Sequence, residues 1–271
     1  MSSYSFHQGS TPLIISMPHI GVNIPNDVSA LMTPQALKRK DTDWYVDKLY
    51  SFAHEFGANI IKPKISRYVI DLNRGIDGVN LYPGANSTEL CPTSTFDLSP
   101  IYLHGKPPSA EEIKRRINEY WLPYHNEIKQ ALARAKAEFG YAILLDAHSI
   151  LSEVPRFFEG KLPDFNWGTA NGCSCSPFIL DALKNLNYTS YSVVSNERFK
   201  GGYITREYGE PKNNIHAIQL ELSQRTYMNE GELTFSEDLA EQVIPYLKNI
   251  VRELIKFNPV VNSTIRSEGI K

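Results

Sequence analysis

His19 and His148 each lie just beyond a short apolar run, and that shared placement is the first sign of chemistry in the chain. Leu144-Leu145 leads into Asp146-Ala147-His148-Ser149, and Leu13-Ile14-Ile15-Ser16-Met17 leads into Pro18-His19-Ile20-Gly21. A short apolar run bounded by polar residues suits a buried strand. In open α/β sheets ligands bind outside the carboxyl ends of the strands, so both imidazoles would project where a ligand can reach them. A neutral imidazole is a common metal ligand, although either histidine alone reads equally well as a side chain bonded to nearby backbone.

Candidate carboxylates and cations follow. Asp41, Thr42 and Asp43 crowd the start of a stripe formed by Tyr45, Leu49, Phe52, Ala53 and Phe56, which predicts a helix over 41–56. Acids at such a start ordinarily cap exposed N–H groups, but Asp43 could equally turn toward a metal. Asp47 shares its face, and Asp41 lies outside it. Asn73-Arg74 closes a β-rich segment over 67–74 and offers an amide and a guanidinium, the groups that grip a carboxylate or polarise a carbonyl oxygen. Arg198, Lys200 and Arg206 surround Gly201-Gly202 in a stretch that reads as a flexible loop, suited to closing over a small dicarboxylate. Cys173 and Cys175 form a C-x-C pair, a weak metal signal without a second pair.

Over 215–222, Ile218, Leu220 and Leu222 alternate with Ala217, Gln219 and Glu221, which predicts a strand with Glu221 on its polar face. Alone, Glu221 would pair with a cation such as Arg225. Beside a metal it is the natural general base. A metal hydrolase needs three nitrogen or oxygen ligands, an open position, a base and an oxyanion stabiliser. His19, Asp43 and His148 supply the first, Glu221 the base and Arg74 the stabiliser. Two histidines and one carboxylate suit one divalent ion, zinc in the first instance.

The elements that must hold these residues alternate along the chain. Strands are expected over 12–17, 59–62, 67–74, 144–149, 191–194 and 215–222, and helices over 41–56, 109–140, 176–186 and 236–257. Pro123 should kink or split the long second helix. Irregular stretches over 75–108 and 150–175 are long enough to be functional, the latter as a pocket wall. This alternation implies an α/β protein with helices on both faces of a sheet.

The 271 residues fit a single domain, with a poorly ordered tail from about 258 onward. A formal charge of −2 gives no basic footprint for nucleic acid. No apolar stretch is long enough for a membrane span, and the amino terminus lacks an export signal. Three cysteines without a pairing framework fit the cytoplasm. The expected partner is a small-molecule substrate, and the oligomeric state stays open.

Ser16-Met17-Pro18-His19, Asp41-Thr42-Asp43-Trp44, Ser66 through Arg74 and Leu145-Asp146-Ala147-His148-Ser149 stand in an order that resembles the N-formylglutamate amidohydrolase (deformylase) family. Leu81-Tyr82-Pro83-Gly84, Arg198 through Gly202, Ile204-Thr205-Arg206 and Gln219-Leu220-Glu221-Leu222 extend the resemblance from about His19 to Met228. It implies hydrolysis of N-formyl-L-glutamate to formate and L-glutamate, the last step of one bacterial route of histidine breakdown. It also implies a zinc carboxypeptidase-like (phosphorylase/hydrolase-like) fold, three layers around a central mixed sheet. In those relatives a glutamate ligand stands three residues after the first histidine, where this chain has Val22. The role passes to Asp43, with Asp41 and Asp47 as alternatives. The relatives' asparagine–arginine pair resembles Asn73-Arg74, and their glutamate base resembles Glu221. The mechanism that follows has Glu221 taking a proton from the metal's water, hydroxide attacking the formyl carbon, and Arg74 and the metal holding the oxyanion. Asn73, Arg198, Lys200 and Arg206 would bind substrate. The competing functions are a deacylase for another N-acyl acidic amino acid and a non-catalytic carboxylate-binding protein.

Overall fold

The computed structural model describes residues 2–79 and 86–259. The Leu81-Tyr82-Pro83-Gly84 motif and nearly all of the tail expected to be poorly ordered lie outside the described residues. Seven strands, β1 (Tyr4–His7), β2 (Leu13–Ser16), β3 (Asn59–Pro63), β4 (Ala142–Ile150), β5 (Phe165–Gly168), β6 (Val193–Ser195) and β7 (Ile215–Ser223), form one sheet. Its order is β1-β3-β2-β4-β7-β5-β6. The sheet is mixed, because β2, β3, β4 and β7 run parallel while β1, β5 and β6 run against them.

The helices are α1 (Asn26–Ser29), α2 (Val46–Leu49), α3 (Ala110–Arg116), α4 (Leu122–Phe139), α5 (Pro177–Lys184), α6 (Tyr203–Tyr208) and α7 (Glu237–Lys256). Strand alternation divides the core between two faces. Ile15, Ile143, Leu145, Ile218, Leu220 and Leu222 pack under α2, α5 and α7, whereas Ile14, Leu144 and Ala217 pack under α4 and α6. The expected α/β architecture with helices on both faces of a mixed sheet is therefore present. The same pleat carries Asp146 and His148 onto the face of Leu144, and Gln219 and Glu221 onto the face of Ala217. Both sets reach the carboxyl ends of neighbouring parallel strands. Helix α7 follows its predicted pattern closely, with Val243, Leu247, Ile250 and Leu254 buried. Each such side chain contributes about 1.5–3 kcal/mol of transfer free energy. Among the described residues no helix is long and apolar enough to cross a membrane.

Several expected elements differ. The helix over 41–56 is reduced to α2 and a 3-10 turn at Ser51–His54, because Tyr45 adopts a left-handed conformation (φ 62°) ahead of α2. Asp43 therefore caps nothing, and its side chain is engaged by His148 and Ser149 instead. The apolar stripe survives, with Leu49, Phe52 and Ala53 still buried. Residues 67–74 are successive turns rather than a strand. Arg67 bonds Asp71 and the Asn73 N–H bonds the same carboxylate, local side-chain contacts that compete with extended pairing. The stretch 150–175 contains β5, the 191–194 strand is shifted to β6, and the supposed flexible loop passes into α6 at Tyr203. Before Pro123 the long helix widens into a π-turn at Ile117–Trp121, consistent with the donor that proline removes. That turn directs Trp121 Nε1 to the carbonyl of Arg74, 2.9 Å away.

Candidate active site

Three side chains that the fold brings from distant segments meet at the end of the parallel strands. His19 follows β2, Asp43 lies in the loop before α2, and His148 belongs to β4. Their relative exposures are only 4%, 1% and 3%. One ligand atom from each lies within 4.8 Å of the others, the group of potential metal ligands found among the described residues. Asp43 Oδ2 is 3.0 Å from His148 Nδ1 and 3.6 Å from His19 Nδ1. The loop that carries Asp43 is fixed by its own backbone, since the Asp43 N–H donates to the His19 carbonyl at 3.1 Å. Asp41 points elsewhere, accepting from the Phe96 N–H, and Asp47 is ion-paired with Lys62. Cys173 is exposed, Cys175 is buried, and neither joins the group.

Two further carboxylates define which imidazole nitrogens face inward. His19 Nε2 lies 2.7 Å from Asp71 Oδ1, and His148 Nε2 lies 3.0 Å from Asp146 Oδ2. A carboxylate accepts, so each Nε2 donates outward to its carboxylate, and the His148 Nδ1–H donates to Asp43 Oδ2; a bound cation would displace that Nδ1 proton and take the lone pair. Carboxylates behind ligating histidines fix the tautomer and raise ligand basicity, so the donor set fits a divalent cation. Arg67 completes the frame, bonding Asp71 Oδ2 at 2.9 Å with its guanidinium 4.9 Å from the Phe96 ring centroid. Asn73 donates to Asp146 Oδ2 at 3.1 Å and accepts from the Ile204 N–H at 2.8 Å.

The electrostatics follow from burial and pairing. Burial opposes ionisation of Asp43, but the His19 and His148 imidazoles outweigh it and hold its carboxyl well below the usual range. Asp71 is likewise held low against burial, by His19, Arg67 and Arg74. For His148 burial lowers the pKa, and the Asp146 and Asp43 carboxylates more than reverse it. Glu221 moves the other way. Burial, aided by the charges of Asp43 and Asp146 and opposed by His148 and Arg67, raises its carboxyl. A glutamate so raised accepts a proton more readily than a solvated one.

A cavity opens over this group, and His19, Arg67, Asn73, Arg74, His148, Gln219 and Glu221 all contribute to its wall. Glu221 is the register partner of His148. Arg74 is anchored by bonds from its Nε and Nη2 to Thr88 and from its Nη1 to the Asn73 carbonyl. Arg198 also reaches the wall, held by the Phe157 carbonyl and lying over the Phe157 and Phe199 rings. Lys200 and Arg206 do not line the cavity, and Arg206 Nε donates to the Gly201 carbonyl. Asn73 lines it with both polar atoms engaged by protein.

Arg67, Asp71, Asp146 and Gln219 had no role in the sequence reading. The Arg67/Asp71 spacing of four was a local signal for that pair, and all four stand inside the motifs of the resemblance without a role of their own. Asp146 meets its imidazole two residues along β4 only because the strand presents both to one face.

The whole chain also has relatives. A family model described as N-formylglutamate amidohydrolase matches residues 11–228. An N-formylglutamate deformylase of Pseudomonas putida is 48% identical over 254 residues, covering 93% of this chain and 95% of that protein. One of Pseudomonas aeruginosa is 48% identical over 255 residues, covering 93% and 94%. The crystal structure of N-formylglutamate amidohydrolase from Ralstonia eutropha superposes with a TM-score of 0.81 at 26% identity, covering 94% of this chain and 98% of the other. A gene product of Agrobacterium tumefaciens, at 16% identity and a TM-score of 0.70 over 94% of this chain and 96% of its own, shares the fold.

Proposed function

The chain belongs to the N-formylglutamate amidohydrolase family, and from that premise we propose that it hydrolyses N-formyl-L-glutamate to formate and L-glutamate. The observation that carries this reading is the meeting of His19, Asp43 and His148 beside Glu221 in a cavity that also presents Arg74 and Arg198.

His19, Asp43 and His148 would hold one divalent ion, for which two imidazoles and a carboxylate make zinc the fitting choice. When bound, such an ion lowers the pKa of water and polarises a carbonyl. Glu221 takes a proton from the attacking water as the water oxygen bonds to the formyl carbon. The negative charge that develops on the formyl oxygen faces the guanidinium of Arg74. Glu221 then returns the proton to the nitrogen as the C–N bond breaks, which releases formate and the free amino acid. Asn73 orients Asp146 behind His148. Arg198, held over two phenylalanine rings, is assigned to a substrate carboxylate, with Arg74 close to the reacting end.

The same reading places the enzyme in the cytoplasm, at the end of histidine breakdown, as one domain of the zinc carboxypeptidase-like class. Its test is acyl preference. The kcat/KM for N-formyl-L-glutamate should exceed that for N-acetyl- and N-succinyl-L-glutamate by about tenfold or more. Equal or greater values for a bulkier acyl group would instead make it a deacylase of other N-acyl acidic amino acids.

A further inference from the structure

Gln219 lies two residues before Glu221 on β7, so both side chains leave the same face of the strand. Both are buried, at 3% and 6% exposure. The Gly202 N–H donates to Gln219 Oε1 at 2.7 Å, and Gln219 Nε2 donates to Glu221 Oε2 at 3.1 Å. A backbone N–H can only donate, so the atom facing Gly202 must be the amide oxygen. The amino group is then obliged to face the carboxylate.

Gly202 is itself immobilised. A Cβ there would lie 2.3 Å from Asn73 Nδ2, so the backbone presses directly on the Asn73 amide. Two residues on, the Ile204 N–H donates to Asn73 Oδ1. One short stretch of backbone thus fixes two amides, Asn73 toward Asp146 and Gln219 toward Glu221. Among the described residues, Gln219 gives the Glu221 carboxylate its hydrogen bond.

We propose that Gln219 is a positioning residue for Glu221, its amide locked by Gly202 so that one carboxylate oxygen is pinned and the other is left for the proton in transit. The inference rests on the reading of Glu221 as the proton-transfer group. A glutamate has several rotatable bonds, and without this anchor its carboxylate swings away from the reacting atoms. Misplacement on the order of 1 Å costs about a hundredfold in rate.

The test uses Gln219→Met, which keeps length and bulk without an N–H donor, and Gln219→Leu, which removes donor and acceptor alike. Crystal structures of the wild type and the variants, together with kinetics on N-formyl-L-glutamate and bound-metal content, are compared. The expected result is a Glu221 carboxylate displaced or split between conformers, kcat lowered about a hundredfold, and KM and metal content within about twofold of wild type. If Gln219→Met does not fold, Gln219→Leu carries the same expectation. Glu221 in its wild-type position, with kcat within about twofold, overturns the inference. If the wild type releases no formate, the proposed function fails, and the Glu221 position in the variant crystals alone still decides for or against Gln219.

Discussion

His148 and Glu221 are register partners across the parallel strands β4 and β7, so a candidate metal ligand and the candidate base stand side by side on one sheet face. Neighbouring strands lie about 4.8 Å apart, and the pleat fixes which way both side chains project. A rigid sheet therefore sets the spacing between the two functions. Glu221→Gln keeps the shape and removes the basic oxygen. It should lower kcat by about 10²- to 10⁴-fold while bound metal per chain stays at the wild-type value. Loss of metal in this variant would make Glu221 a ligand instead.

The carboxylate ligand can be decided among three aspartates. Asp43→Asn should lose metal at chelator concentrations that leave the wild type loaded. Asp47→Asn should keep it, because Asp47 is half exposed and pairs with Lys62 at the surface. Asp41→Asn should also keep it, since Asp41 accepts from the Phe96 N–H and stands outside the ligand group. Competition against a coloured chelator reads all three directly.

The carboxylates behind the histidines act on affinity. Asp146→Asn and Asp71→Asn each remove a charge that fixes an imidazole, and each should weaken metal binding by about 10- to 100-fold. The same titration, run at one pH, measures the shift.

Substrate recognition separates the three cations near Gly201-Gly202. Arg198→Ala should lower kcat/KM for N-formyl-L-glutamate by about tenfold or more, the value of a hydrogen bond to a charged group. Lys200→Ala and Arg206→Ala, away from the cavity wall, should change it by less than about threefold. Steady-state kinetics of the three variants make the comparison.

His216 provides a pH test outside the site. Burial depresses its pKa from 6.5 to about 4, and it accepts from the Ser176 N–H in the neutral form. The unfolded chain binds this proton below about pH 6.5 and the folded chain does not, so the contribution is complete above that pH and fades as pH falls toward 4. Relative to wild type, His216→Gln should therefore gain about 1 kcal/mol of unfolding free energy between pH 6 and pH 5. Urea unfolding of both proteins at the two pH values measures the difference. His125, depressed by burial to about 3, should behave alike.

What could be read from the sequence was what depends on local periodicity. Strands β4 and β7 and helix α7 announce themselves by alternation or by a helical stripe, and with them came His148 and Glu221. His19 was legible from its place after β2. The loops carrying Asp43 and Arg67 through Arg74 were misread as a helix and a strand, because the left-handed Tyr45 and the bonds to Asp71 break those elements locally, while partners far along the chain hold their side chains. Asp43 answers to His148 and Ser149, and Asn73 to Ile204 and Asp146. Tertiary contacts of this kind override propensity, which is only a weak prior. Gln219 was visible as part of a motif, but its role depends on Gly202, whose approach only the folded chain shows.

The central claim is tested most directly by measuring formate released from N-formyl-L-glutamate by the purified protein, before chelation, after it, and with zinc restored. The account predicts release that disappears with the metal and returns with it. Stoichiometric bound metal without formate release would contradict it.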